Sequence, residues 1–105
     1  MAVLRATLKH DTWVVVDADA AALELFCVTR EQLIGFPFVE LFGGEPDLKH
    51  LEALRLEAFR KRDVTFEPLD FTFRRFDNTA FVGHTLTRRT ADDEWETTIE
   101  YLWET

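Results

Sequence analysis

WVVVDADAAALELFCVTREQLIGFPFVELF, residues 13–42, is the stretch that decides how this chain folds. Its first six residues are dominated by β-branched side chains and read as a strand, with Val14 and Val16 on one face and Trp13 and Val15 on the other. Both faces are apolar, so the strand is expected to lie within a sheet. Asp19 stands where a helix N-cap belongs, in front of the small-residue run Ala20–Phe26. Thr29 and Gln32 form a capping box opening a second short helix, which Gly35 can end in a left-handed conformation. Pro37 suits the first turn of a third short helix that ends near Gly43-Gly44.

Outward from this core the pattern is β on both sides. Val3 to Lys9 alternates, with Leu4, Ala6 and Leu8 on one face, and His10-Asp11-Thr12 turns it into the strand already described. Asp47 to Arg62 reads as a longer helix with Leu48, Leu51, Leu54, Ala58 and Phe59 in one stripe. Leu69, Phe71 and Phe73 then alternate with Asp70, Thr72 and Arg74, and Asp77-Asn78-Thr79 turns the chain. In the run Ala80–Arg89, Val82, His84 and Leu86 share one face and Phe81, Gly83 and Thr85 the other. After a turn at Ala91-Asp92-Asp93, a last strand Trp95–Trp103 sets Ile99, Tyr101 and Trp103 against Glu96, Thr98 and Glu100. The order ββααααβββ predicts an α+β fold with helices on one face of an antiparallel sheet.

A chain of 105 residues, 47% hydrophobic and with no linker or repeat, is expected to form one domain over residues 1–105. The net charge is -8, and the twelve Lys and Arg are scattered apart from the run that includes Lys61-Arg62, preceded by Arg60, and the pairs Arg74-Arg75 and Arg88-Arg89. No basic stripe matches a run of phosphates, which argues against direct nucleic-acid binding. No apolar run approaches the length of a membrane-spanning helix, and a lone cysteine, Cys27, makes no internal disulfide. A reducing, cytoplasmic setting is the expectation.

Several short stretches, taken in order, resemble a PAS domain, a small sensory and dimerisation module. They are Asp19-Ala20-Ala21 at the turn after the second strand, Leu25-Phe26-Cys27 at the end of the first helix, and Glu31-Gln32-Leu33-Ile34-Gly35 after it. Phe76-Asp77-Asn78 resembles the family's later hairpin, and Trp103-Glu104-Thr105 resembles its closing Asp-x-Thr, which couples the last strand to an effector. Cys27 stands where glycine is usual, and the tryptophan of the last triplet is also a departure. The resemblance implies a five-stranded antiparallel sheet in the order 2-1-5-4-3, curved around helices that can enclose a ligand. It implies no catalysis by the domain itself. The expected partners are a second copy of the chain or an effector such as a histidine kinase, a cyclic-dinucleotide enzyme or a transcription regulator.

On this reading a small-molecule pocket lies between the inner sheet face, carrying Phe71, Phe73, His84 and Tyr101, and the long helix carrying Leu51 and Leu54. His84 beside Val82 and Leu86 is a candidate hydrogen-bonding or pH-reporting group in an apolar concavity, with Tyr101 and Thr97 as further polar contacts. The phenylalanines either line such a cavity or fill a core. Trp13, Val15, Phe81 and Leu102 are expected to point away from the helices and form a self-association face.

Cofactor signatures are sparse. Flavin-binding photosensory relatives carry Gly-x-Asn-Cys-Arg-Phe-Leu-Gln, which does not occur here, and Cys27 falls in a different helix and reads as a small buried hydrophobe. Haem-binding relatives use a histidine of the long helix. His50 is the candidate, but its neighbours Lys49 and Glu52 suit a solvated histidine better. Serine is absent, which excludes Ser-His-Asp chemistry, and His10, His50 and His84 show no metal-ligand spacing. The alternative function is a small cone-shaped α+β enzyme or carrier of the ketosteroid-isomerase kind. That fold starts with a long helix, whereas this chain starts with two strand patterns.

Overall fold

The computed structural model describes residues 1–10, 12–43, 66–91 and 93–105. Strands β1 (Ala2–Lys9) and β2 (Thr12–Ala18) form a hairpin, followed by helices α1 (Ala20–Phe26) and α2 (Arg30–Leu33) and a 3-10 turn at Phe38–Leu41. Strands β3 (Phe66–Arg74), β4 (Ala80–Ala91) and β5 (Glu94–Glu104) complete one five-stranded sheet in the order β2-β1-β5-β4-β3. All paired strands are antiparallel. This is the expected α+β arrangement. The long helix expected over 47–62, with Leu51 and Leu54, lies outside the described residues.

Local chemistry sets the helix starts. The Asp19 carboxylate accepts from the Ala22 N–H at 2.8 Å, capping α1, and from the Val3 N–H at 3.1 Å, which ties that cap to β1. Thr29 and Gln32 complete the anticipated capping box of α2, and Gly35 follows with φ 86°. That left-handed residue returns the chain along the edge of β2. There the Gly35 N–H donates to Val15 O at 2.7 Å, and Val15 N–H donates to Phe36 O at 2.9 Å. The edge strand is thereby covered rather than left as an open template.

Leu4, Ala6, Trp13, Val15, Phe71, Phe73, Phe81, Trp95 and Ile99 are all buried, together with Phe26 of α1 and Phe38, Leu41 and Phe42 of the turn region. Phe73 and Phe81 are directly opposite across β3 and β4 and stack with ring centroids 5.5 Å apart. Phe26 stands on both, 5.7 Å from Phe73 and 5.6 Å from Phe81. Gly83 makes this stacking sterically feasible: a Cβ there would fall 2.7 Å from Ile99 Cγ2 and 3.3 Å from both rings.

Two face assignments made from alternation are corrected by this register. Trp13, Val15 and Phe81 point into the core, not away from the helices, because Val15 pairs with Ala6, Trp13 with Leu8 and Phe81 with Phe73. His84 points outward with Val82 and Leu86, opposite Asp70 on β3 and Glu100 on β5, and its Nδ1 is 2.6 Å from Asp70 Oδ1. The inward row of β4 is Phe81, Gly83, Thr85 and Thr87, three of which carry little hydropathy signal. Packing selects that row through the space Gly83 leaves and the size of Phe81.

The two faces of β4 therefore carry different energetic weight. Phe73→Ala is expected to cost about 3–5 kcal/mol by loss of buried ring packing, while His84→Ala on the half-exposed outer face is expected to stay within about 0.5 kcal/mol. Urea unfolding of the two variants checks the assignment.

Candidate functional site

Two features on the helix side of the sheet stand out. The first is a buried hydroxyl strip. Thr85 and Thr87 of β4 and Thr97 of β5 are at most 5% exposed and lie on the same face as Leu4, Trp95 and Ile99. Thr87 pairs with Thr97, and their hydroxyl oxygens are 3.0 Å apart. A mutual hydrogen bond lets two polar groups sit in an apolar layer without the desolvation cost of unpaired hydroxyls. Such a strip gives an otherwise apolar wall a hydrogen-bonding patch.

The second feature is built around Arg75, at the start of the β3–β4 turn. Its Nε donates to Leu25 O at 2.8 Å, near the end of α1. Its Nη1 and Nη2 reach both oxygens of Glu104 at 2.8 and 2.6 Å, and Nη1 also donates to Thr79 Oγ1 at 3.1 Å. The guanidinium lies 4.7 Å above the centre of the Phe81 ring. One side chain thus joins the end of α1, the hairpin and the end of β5. A planar donor fork suits a bidentate carboxylate, which a lysine cannot reproduce. Phe76 N–H to Phe26 O at 3.0 Å and Thr105 N–H to Ala80 O at 3.0 Å fasten the same corner.

A β-bulge aims Glu104 at Arg75. Up to Tyr101 the strands pair with Gly83 opposite Tyr101 and His84 opposite Glu100; beyond it Val82 faces Trp103 and Phe81 faces Glu104, so Leu102 has no cross-strand partner. Without that extra residue, alternation would put Glu104 outside with Glu96, Thr98 and Glu100. Hydrogen bonding to Arg75 is the leading reason the Glu104 carboxyl is held below the usual carboxylate range, and the same bond raises Arg75. Asp77 is likewise lowered, chiefly by its hydrogen bond from Thr79.

The structure brings only part of the anticipated pocket together. Phe71 and Phe73 are buried on the inner face, whereas Tyr101 lies at its rim, 45% exposed with its ring 6.0 Å from Phe81, and His84 is on the opposite face. Of the anticipated interface residues, Trp13, Val15 and Phe81 are core and Leu102 is the half-buried bulge residue. Thr85 and Thr87 carried no motif, and Arg75 sits 29 residues from Glu104, a contact that no local pattern encodes. The sequence signals near it are the triplets Leu25-Phe26-Cys27, Phe76-Asp77-Asn78 and Trp103-Glu104-Thr105, none of which includes Arg75.

Cys27 is exposed, not buried as its surroundings suggested, and caps α1 in the left-handed region at φ 54°. It borders an open depression with Glu24, Arg75, Asp77 and Glu104, outside the layer formed by Phe26. A thiol placed there does not fit attack on a flavin held against the inner sheet face. His50, the haem candidate, lies outside the described residues. Among those residues no three His, Cys, Asp or Glu side chains converge as a metal site, and no helix is long and apolar enough to cross a membrane.

No family model and no curated protein sequence matches the chain. Solved structures do. The LOV domain of the blue-light activated histidine kinase EL346 from Erythrobacter litoralis superposes with TM-score 0.77 at 16% identity, over 97% of this chain and 95% of that domain. The EL346 kinase itself gives TM-score 0.79 at 14% identity, over 99% of this chain but only 33% of its own. The Rhodobacter sphaeroides LOV protein gives 0.77 at 16%, over 96% of this chain and 58% of that one. The fold is that of LOV domains, a subfamily of PAS domains.

The pH sign of the clamp follows from the direction of the shift. Glu104 contributes stability above its ordinary carboxyl pKa and loses it as pH falls through the depressed folded value. In Arg75→Met the Glu104 titration midpoint should return towards the ordinary carboxylate range, as followed by side-chain carboxyl NMR. An unchanged midpoint would show that the carboxylate owes nothing to Arg75.

Proposed function

We infer that this chain is a sensory, signal-transducing domain that binds a small molecule on the inner face of its sheet and passes the bound state to a neighbouring domain or partner through the end of β5. What carries the reading is the Arg75 clamp. It connects the helix packed on the inner-face rings with the last residues of the final strand, and the fold match covers nearly the whole chain. The domain does no chemistry of its own. Its ligand would be contacted by the apolar wall of Phe71 and Ile99 and by the hydroxyls of Thr85, Thr87 and Thr97. A ligand favouring one placement of α1 would then bias Arg75 through Leu25 O, and through Arg75 the placement of Glu104.

The relevant output partner is an effector domain such as a histidine kinase, or a second copy of the chain. With Trp13, Val15 and Phe81 assigned to the core, a self-association surface would instead be the outer sheet face around Val82, Leu86 and Trp103. The cone-enzyme alternative is not favoured, since the fold match to LOV domains covers nearly the whole chain and His84 faces outward. Thiol-adduct flavin photochemistry is disfavoured by the position of Cys27.

Native mass spectrometry of the purified protein, coupled to hydrogen exchange before and after any retained molecule is stripped, tests the reading. The expected result is a bound small mass whose removal speeds amide exchange at residues 97–105. Loss of a bound molecule with exchange in that segment unchanged would contradict the relay, and a protein purified without any bound mass would contradict the ligand.

A further inference from the structure

The bulge at Leu102 gives β5 two pairings that its own sequence can satisfy. In the observed one, Trp103 is on the outer face opposite Val82 and 55% exposed, and Glu104 faces Arg75. Absorbing the bulge would continue the register set by Gly83 and Tyr101, so that Leu102 meets Val82, Trp103 meets Phe81 and Glu104 meets Ala80. A shift of one residue exchanges faces. Leu102 would then cover Val82 on the outer face, and Trp103 would turn inward over the Phe81 ring, where the Arg75 guanidinium now lies. Glu104 would turn out to solvent.

The two arrangements trade comparable terms. The observed one holds a bidentate ion pair and the Thr105 N–H to Ala80 O bond, but leaves a tryptophan largely in water and a residue without a strand partner. The shifted one buries the indole against aromatic rings and restores a regular ladder, but leaves Arg75 with only Leu25 O and Thr79. The balance is set by the clamp, and the clamp reads α1.

We propose that the last residues of β5 form a two-register switch, in which the Arg75–Glu104 pair holds a bulged, Trp103-out state against a regular, Trp103-in state. The switch rests on the reading of β5 as the output element only for its biological consequence; the register exchange itself follows from the pairing. Because Trp103 and Glu104 change faces together, one step replaces an exposed indole by an exposed carboxylate at the end of the outer sheet face, a change that a docked partner would sense.

Fluorine NMR of the whole chain labelled with 5-fluorotryptophan tests this. Trp13, Trp95 and Trp103 give three signals, and Trp103 is identified by Trp103→Phe. In the wild type the Trp103 signal should be that of a solvated ring, with the in-state a minor species on the order of a few per cent. Glu104→Ala, a change at a half-exposed side chain that leaves the core intact, should make the in-state the major one, with loss of the solvent isotope shift. Deleting Leu102 in the same variant removes the residue that permits two registers, and should return the ring to solvent. If Trp103 stays solvated in Glu104→Ala, or if the deletion changes nothing, the switch is wrong, whatever the fate of the ligand reading.

Discussion

A missing side chain at Gly83 is the constraint on which the rest depends. A Cβ at that position would collide with Ile99 and crowd two aromatic rings, so only glycine lets Phe73 and Phe81 lie stacked on the inner face. On that platform stands Phe26, the last residue of α1, and its position places Leu25 O where Arg75 can bind it. Phe81 also provides the ring surface that Arg75 crosses before meeting Glu104. Core, helix end and strand end are therefore one connected assembly. A change in the seating of α1 has a short physical route to the end of the sheet, through two hydrogen-bonded groups and a ring contact.

The inner face divides accordingly into two regions. Near α1 it is filled by interlocking rings, which suits a rigid support. Towards the other end, the central strands carry the buried Thr87–Thr97 hydroxyl pair beside the edge-to-face contact of Trp13 and Trp95. The outer face is different in kind: Arg88 with Glu96 and His84 with Asp70 form exposed pairs, which contribute little to stability and favour a hydrated or partner-facing surface.

The helix boundaries and the order of elements were readable from residues alone because they are written in local chemistry: Asp19, the Thr29–Gln32 box and Gly35 each act within a few residues. The strand order 2-1-5-4-3, which only the PAS resemblance implied, is the observed one. Facing was harder. In β2 both rows are apolar, and in β4 hydropathy favoured Val82, His84 and Leu86 over Gly83, Thr85 and Thr87, although steric fit and not hydropathy decides which row is buried. The clamp was only half visible: Glu104 belonged to a recognisable terminal triplet, but its aim depends on an unpaired Leu102, and bulges have no composition signature. Cys27 departs from its expected burial for a similar reason, since it caps α1 in the left-handed region and is exposed although Phe26 beside it is buried.

The central claim is that α1 and the end of β5 are held together by Arg75. Site-resolved hydrogen exchange in the wild type and in Arg75→Met tests it most directly, with the slow core amides of β4 as the internal reference. The account predicts that exchange at residues 25–28 and at 101–105 accelerates together in the variant while the core reference is unchanged. Acceleration confined to one of the two segments, or to neither, would contradict it.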